Sequence, residues 1–359
     1  MSRARALSWI RWPVVVVLAA LWPHTGPEPY QMTVAILLLI WVVVASALNV
    51  VNGYTGQVSL AQGVFFGLGA YTTAIAQRDH GLSFVPIVVL ALLVSAGVAA
   101  VIAVPAFRAR HLQFTIFTLG LAVVFTQVLL NQRSLTGGPS GLPGIVRPGL
   151  VGIGDLGVTV TSERDMYYLC LATVVVVVAV VATVARSSIG RVFCGIRDDE
   201  DRVAALGYPT HAYKALAFVI SGALGSLGGV LFAYYMGFVS PTSFGIVPAF
   251  TALMIIVVGG SGTIAGPVLG AFVIKGVPEF FRFGRDLGVL LFSLVLLAVV
   301  LLARDGLVSV FRRAWAEVER RLRRDRGAAD RERPAGARHH DEAASAAAPP
   351  VEAVGTGRP

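Results

Sequence analysis

The acidic side chains of residues 198–201 form the densest group of chemically reactive residues in the sequence, and Gly207 and Pro209 follow them closely. Acidic side chains stabilise the start of a helix, whereas glycine followed by proline ends one. The spacing therefore predicts a short helix over 200–206 within a loop (186–214), suited to docking another protein. A solvated acidic loop is the alternative, because charge runs usually just face water.

Other reactive groups are sparse. There is no GxxxxGK[ST] phosphate loop, and neither lysine of the chain follows a glycine. Cys170 and Cys194 have neither the spacing of metal ligands nor a disulfide pattern, and the histidine pair at 339–340 lacks spaced partners. We find no cluster of nucleophile, metal ligands or acid and base. The sequence predicts that the chain is not an enzyme and binds no metal or cofactor itself.

The long apolar stretches carry neutral polar side chains and essentially no ionisable ones. A transporter driven by an ion gradient usually places ionisable groups along its path. Their absence favours a passive channel or a transporter powered from outside the membrane. The neutral groups suited to line a wet path are Asn49, Gln57, Ser59, Gln62, Thr72, Gln113, Thr115, Thr118, Gln127 and Ser221.

These side chains must be positioned by membrane helices. Of the 359 residues, 56% are hydrophobic and 14% are charged, and the mean hydropathy is +0.76. No charged residue occurs between Glu28 and Arg78 or between Lys214 and Lys275. A bilayer core about 30 Å thick is crossed by about 20 helical residues. The sequence excludes a water-soluble fold and predicts an all-α polytopic membrane protein, a bundle of about ten segments, some broken or re-entrant.

The predicted spans account for this count only if one region crosses twice. Arginines near the N-terminus place it in the cytoplasm by the positive-inside rule, and the arginine-rich C-terminal tail obeys the same rule only with an even number of crossings. Cationic loops also explain the net charge of +9. The first span could instead be a signal peptide, but a retained helix is favoured. The spans are 12–22, 30–51, 58–77, 82–107, 112–130, 166–185, 215–239, the broken region 241–281, and 287–303.

Small residues occur at helical spacing in two of these spans. Such residues let helix backbones approach closely in lipid, which predicts a compact bundle; packing alone is the alternative to any functional role for them. A further group of glycines after residue 258 supplies the break within 241–281. The packing residues are Gly63, Gly67, Gly69 and Ala70, and Gly222, Gly225, Gly228 and Gly229.

The acidic loop resembles the coupling helix of ABC importer permeases, which sits in a cleft of an ATP-hydrolysing subunit. Three further stretches, 48–71, 135–142 and 255–271, resemble the LivM-type permeases of branched-chain amino-acid ABC importers. The resemblance runs in order from about residue 30 to 303. The residues that match the coupling segment are Asp199, Glu200, Ala204, Ala205 and Gly207.

The resemblance implies a ten-helix permease domain over 30–303 in a bacterial plasma (inner) membrane. It implies as partners a LivH-type second permease, two ATP-binding subunits that use ATP and Mg, and an extracytoplasmic solute-binding protein. The loop charges predict that both termini are cytoplasmic, and the basic residues predict contact with membrane lipid and not with nucleic acid. The resemblance also implies site residues. These are Asn49, Gly53, Tyr54, Gly56, Gln57, Ser59, Gln62, Gly67, Gly69 and Tyr71 in the translocation path or bundle core; Thr136, Gly137 and Gly138 in an external loop; and Gly259, Gly260, Gly262, Gly266 and Pro267 in a broken late helix.

The remaining segments have different compositions. Residues 1–29 are predicted to hold the cytoplasmic end, the short first helix and an external loop. Residues 304–326 are predicted to form a basic amphipathic helix, suited to anionic lipid or the ATPase subunit, and 327–359 to be disordered. Two rival functions stay open: an ABC permease for urea, short amides or another small solute, and a stand-alone secondary transporter or channel.

Overall fold

The computed structural model describes residues 16–107, 111–147, 160–281 and 306–309, all within one compact unit. Helices make up most of these residues, and two short strands complete them. The elements are α1 (Val16–Thr25), α2 (Pro29–Asn49) with a following π-helical turn (Val50–Tyr54), α3 (Gln62–His80), α4 (Phe84–Ala106), α5 (His111–Asn131), α6 (Arg133–Thr136), β1 (Leu142–Pro143), α7 (Glu163–Arg186), α8 (Ser188–Asp198), α9 (Glu200–Ala205), α10 (Thr210–Met236), β2 (Phe238–Val239), α11 (Ile246–Gly259), α12 (Gly266–Ala271), a π-helical turn (Phe272–Gly276) and α13 (Val277–Phe281).

Six helical segments among the described residues are long and apolar enough to cross a membrane. They correspond to six of the predicted spans, so the chain is an all-α, multi-pass membrane protein. The predicted total of about ten segments stays a prediction. The six are Pro29–Tyr54, Phe84–Ala106, Leu112–Asn131, Glu163–Arg186, Thr210–Met236 and Pro241–Gly259.

Helix α3 differs from the predicted third span, 58–77. It begins at Gln62 and continues to His80. The preceding chain is irregular because Gly56 adopts a positive φ of 71°, which ends the helical path after the π turn. Although α3 is less apolar than the six spanning segments, most of its side chains are buried against α4 and α10. Because α3 is buried inside the bundle, it does not need an apolar surface for contact with lipid.

Helix α10 is the centre of the bundle and packs against α2, α3 and α4. The close approach to α3 depends on glycines of both helices, as the sequence predicts. A Cβ at Gly69 would overlap the carbonyl oxygen of Ser226, and one at Gly229 would overlap that of Phe66. Backbone-to-backbone contact of this kind is available only to glycine, and it holds helices together in lipid.

The predicted break in 241–281 is confirmed as a tight helical hairpin. Helix α11 ends at Gly259, residues 260–265 form the turn, and α12 returns antiparallel to it. A Cβ at Gly259 would overlap Gly266, and one at Gly270 would overlap Ile255. Both arms pack on α2.

A small antiparallel sheet joins two connections that the sequence does not predict to be paired. Leu142 of β1 lies opposite Val239 of β2. Gln77, near the end of α3, donates through Nε2 to the carbonyl of Val146 at 2.9 Å and accepts from its amide at 3.0 Å. The sheet and these bonds fix the connection after α5 to the end of the bundle away from α8 and α9.

Several predictions concern residues outside the described ranges. These are the cytoplasmic N-terminal end, the start of the first span (12–22), the span 287–303, the tail 327–359 and the predicted helix 304–326 except for 306–309. Within the last segment, Gly306 packs directly against Gly260 in the turn of the late hairpin.

Candidate functional site

The acidic loop folds as two short helices joined at Asp199, which caps the second. Helix α8 begins at the N-cap Ser187, whose Oγ accepts from the amide of Gly190 at 3.3 Å. Helix α9 begins at the N-cap Asp199, whose Oδ1 accepts from the amide of Arg202 at 3.1 Å. Asp199 also forms an ion pair with Arg202 at 2.7 Å. The short helix predicted for 200–206 is therefore confirmed, with the acidic residues at its start for the reason expected.

Glu200 joins α9 to the start of α10 through an ion pair and a hydrogen bond. Its Oε1 lies 2.6 Å from Nζ of Lys214 and accepts from Oγ1 of Thr210 at 3.2 Å. Lys214 is only 5% exposed, and its Nζ also lies 5.8 Å from the ring centre of Phe107. Partial burial by itself raises the pKa of Glu200, but the hydrogen bonds and charge of Lys214, with Thr210, outweigh it and hold this pKa below its ordinary value.

The far side of α9 is exposed and partly apolar. Leu206 is 76% exposed and Tyr208 is 45% exposed, and the neighbouring Ala204, Ala205 and Gly207 are exposed as well. Gly207 adopts a positive φ of 87°, which turns the chain back toward α10. We call residues 204–208 the α9 tip. The Tyr208 ring lies 6.1 Å from the Tyr213 ring of α10, between ring centres, and the exposed parts of Leu206 and Tyr208 are available to a partner.

The structure adds contacts that the sequence analysis missed. Lys214 is one, although a lone lysine at the start of an apolar span and close to an acidic cluster was a usable signal. Arg197, in the last turn of α8, is another: its Nη1 donates to the carbonyl oxygen of Gly53 at 3.0 Å. Nothing in the local pattern around Arg197 marks it, because its partner is 144 positions away.

Asn49 joins the end of α2 to the turn of the late hairpin. Its Nδ2 donates to the carbonyl of Thr263 and its Oδ1 accepts from the amide of Gly262, both at 2.9 Å. Gly53 lies one helical turn after Asn49 and packs against the same hairpin turn, since a Cβ there would overlap Asn49 Oδ1 and the Gly262 nitrogen. Two stretches that the sequence analysis singled out separately thus form one junction.

The other predicted path or core residues lie inside the bundle. Gln62 donates through Nε2 to the carbonyl of Val44 at 3.2 Å and accepts from Ser221 Oγ at 3.3 Å. The side chain of Ser59 accepts from the amide of Ala61. The hydroxyl of Tyr71 has no hydrogen-bond partner among the described residues. All members of the predicted set are buried except Gly56, which is partly exposed: Asn49, Gly53, Tyr54, Gln57, Ser59, Gln62, Gly67, Gly69 and Tyr71. Their role in a translocation path stays a prediction.

The predicted external-loop residues form a compact turn at the end of the bundle away from α9. The Oγ1 of Thr136 donates to the carbonyls of Leu129 and Gln132, at 2.6 and 2.7 Å. Gly137 and Gly138 both adopt positive φ values, 73° and 58°. The predicted late-helix residues Gly259, Gly260, Gly262, Gly266 and Pro267 lie at the hairpin turn, near α8.

One lysine lies within the late hairpin. Nζ of Lys275, in the second π-helical turn, is 4.7 Å from the centre of the Trp41 ring. An ammonium over an aromatic face is attracted by the ring quadrupole. This contact joins the returning arm of the hairpin to α2 at about the middle of that helix.

Several apolar spanning helices, a glycine-packed interior and a charged projection (α8 and α9) at one end define a multi-pass membrane protein. Residues 31–303 match the family described as branched-chain amino acid transport system, permease component. The chain belongs to this family, as the resemblance of its LivM-like motifs predicts.

Individual relatives agree with the family. The chain is 30% identical to the high-affinity branched-chain amino acid transport system permease protein LivM of Salmonella typhimurium and 29% identical to LivM of Escherichia coli, in each case over 83% of this chain and 74% of the relative. It is 27% identical to the autoinducer 2 import system permease protein LsrC of Yersinia pseudotuberculosis, over 62% of each chain. No solved structure matches significantly.

Proposed function

We propose that this chain is the transmembrane permease subunit of an ATP-driven ABC importer for branched-chain or related small amino acids. Separate subunits supply ATP hydrolysis with Mg, and the chain itself binds no cofactor. Its partners are a LivH-type second permease, two ATP-binding subunits and an extracytoplasmic solute-binding protein in a bacterial plasma membrane. The family and the LivM relatives support this assignment.

The observation that carries the proposal is the exposed α9 tip on a helix that is held firmly at its base. Two caps and the Glu200–Lys214 pair fix the direction of α9, so a force on the tip is passed to α10 and is not lost in a flexible loop. Exposed Leu206 and Tyr208 supply an apolar contact for a cleft in the ATPase. Asp199, Glu200, Ala204, Ala205 and Gly207 form the coupling segment in this scheme.

The rest of the scheme follows from the arrangement of the helices. The α9 end of the bundle faces the cytoplasm, both termini are cytoplasmic, and about ten segments cross the membrane. Rigid-body rocking of the packed helices opens the path alternately to each side. The basic helix over 304–326 contacts anionic lipid or the ATPase.

Transport by the reconstituted complex tests the function. Vesicles that contain both permeases and the ATPases are supplied with the binding protein and labelled leucine, with and without ATP inside. We expect uphill leucine uptake only with ATP and all components. Uptake by this chain alone without ATP would establish the stand-alone transporter or channel and refute the proposal.

A second solute class is favoured by one comparison. The LsrC relatives belong to an import system for autoinducer 2, so the family includes permeases for solutes other than amino acids. Urea, short amides and a small sugar are therefore offered in the same assay. ATP-dependent uptake of one of them without leucine uptake would keep the ABC mechanism and replace the substrate.

Docking at the α9 tip has its own test. Leu206→Glu introduces a charge into the exposed apolar contact, and we expect the ATPase subunits to stop co-purifying with the permease. Leu135→Glu is the matched control, because Leu135 is 51% exposed at the other end of the bundle. Equal co-purification of the ATPase with both variants would refute docking at the tip.

A further inference from the structure

Arg197 reaches from the docking segment into the membrane bundle. It lies two residues before Asp199, the cap of α9, and its Nη1 donates to the carbonyl oxygen of Gly53 at 3.0 Å. Its Nε lies 3.6 Å from Asp198, and the side chain is 41% exposed. The guanidinium thus stands at the boundary between the exposed loop and the bundle.

The bundle is shaped to receive this side chain. A Cβ at Gly56 would be 2.8 Å from Cγ of Arg197, and a Cβ at Gly262 would be 2.6 Å from Nη1. Any larger residue at either position would displace the arginine. Both glycines also adopt positive φ values, 71° and 72°, which larger residues rarely take.

The two glycines belong to two places where membrane helices are interrupted. Gly56 follows the π-helical turn Val50–Tyr54 that ends α2, and Gly262 lies in the turn between α11 and α12. π-helical turns are less regular than α-helix and occur frequently at functional sites. Asn49 bonds these interruptions to each other, and Arg197 bonds the first of them to α8 and lies beside the second.

We propose that Arg197 is the positioning residue that couples movement of α8 and α9 to the break after α2 and to the α11–α12 turn. The inference rests on the proposed docking of an ATPase at the α9 tip and deepens it. Movement of the tip rotates α8, because Asp199 joins the two helices directly. The guanidinium then carries the Gly53 carbonyl, and the hairpin turn that Asn49 holds beside it, in the same direction.

The test compares three variants in the complete vesicle complex. Arg197→Met keeps the aliphatic stem against Gly56 and removes the donors. Arg197→Lys keeps the charge and one donating nitrogen. Arg191→Met is the control, because Arg191 lies exposed on the same helix and its replacement removes the same charge. The readout is solute taken up per ATP hydrolysed, measured alongside the amount of assembled complex.

We expect Arg197→Met to lower this ratio by about tenfold with ATP hydrolysis maintained, because a hydrogen bond from a charged donor is worth on the order of a factor of ten. Arg197→Lys should recover most of the ratio, and Arg191→Met should stay within about twofold of the unaltered chain. A residue that only stabilised the fold would lower the amount of complex and leave the ratio unchanged.

Two outcomes overturn the inference: an unaltered ratio in Arg197→Met, or an equal fall in Arg191→Met. If Arg197→Met does not assemble, Gly262→Ala replaces it, since the added methyl group crowds Nη1 and should lower the same ratio; an unaltered ratio in that variant likewise overturns the inference. If the unaltered complex shows no ATP-dependent uptake, the proposed function fails instead, so the two failures are distinguishable.

Discussion

The α10-centred core and the α8–α9 segment differ in where their polar and apolar side chains lie. In the core, glycines bring backbones into contact and the polar side chains of Gln62 and Ser221 bond to groups within the chain. In the α8–α9 segment, charged caps hold two short helices at the surface, and apolar Leu206 and Tyr208 are exposed. Side chains of the core pack on one another, whereas the α8–α9 segment leaves apolar side chains exposed, as the proposed docking of a partner requires.

This difference agrees with the proposed mechanism. The described part of the bundle has few groups that could take up an ion, and in the proposal the energy enters through the α8–α9 segment. The ion pair of Glu200 with Lys214 and the bond from Arg197 to Gly53 are charged contacts that join α8 and α9 to the bundle. Changes in the core should therefore affect folding, and changes at the projection should affect coupling.

The largest effect is expected from a methyl group in the core. Gly229→Ala places a Cβ against the backbone of Phe66 and Ala70, which cannot yield as a flexible side chain would. We expect the free energy of unfolding to fall by about 3 kcal/mol, measured as thermal stability in detergent. Gly97→Ala is the control, because a Cβ there meets nothing within 4 Å. Equal stability of the two variants would contradict the close packing of α3 and α10.

A smaller loss is expected at the junction that Asn49 forms. Asn49→Leu keeps the size of the side chain but leaves the Gly262 amide and the Thr263 carbonyl without their partner. We expect the hairpin turn to lose about 2 kcal/mol of local stability, seen as faster hydrogen exchange over 260–266. Asn131→Leu, at the exposed end of α5, should leave that exchange unaltered. Slow exchange in both variants would show that Asn49 does not hold the turn.

The third-largest effect is expected from the ion pair of Glu200 with Lys214, at the base of α9. Lys214→Met leaves Glu200 without its cation, and we expect the stability of α9 to fall by about 1 kcal/mol, measured by hydrogen exchange of its amides. Lys214→Met combined with Glu200→Gln should restore part of this loss, because no unpaired charge remains. A double variant as unstable as the sum of its single variants would indicate that the two side chains do not interact.

The sequence predicted what local chemistry determines. Chain length and apolarity located the spanning helices, glycines located the turn at 260–265, and acidic residues located α9, because caps act within one turn. It missed the late start of α3 and the paired strands β1 and β2. It also missed Arg197 and Lys214 as contacts, since both depend on which helices meet in three dimensions.

The smallest effect at neutral pH concerns the ionisation of Glu200. Its pKa is lowered in the folded chain from an ordinary value of 4.5, so the pair stabilises α9 fully above that value. The stabilisation is lost as the pH falls through the lower, folded pKa. Hydrogen exchange of α9 should therefore be constant from pH 8 to about pH 5, after correction for intrinsic rates, and should accelerate only in stronger acid.

The pH profile also separates the two regions. Glu200→Gln removes the titrating group, so its α9 exchange should lack the acid step, whereas the core amides of α10 should show the same profile in both proteins. In Lys214→Met the cation that lowers the pKa of Glu200 is gone and partial burial remains, so the acceleration of α9 exchange in acid should be smaller than in the unaltered chain. An acid step that persists unchanged in Glu200→Gln would assign the titration to another group and remove Glu200 from the base of the projection.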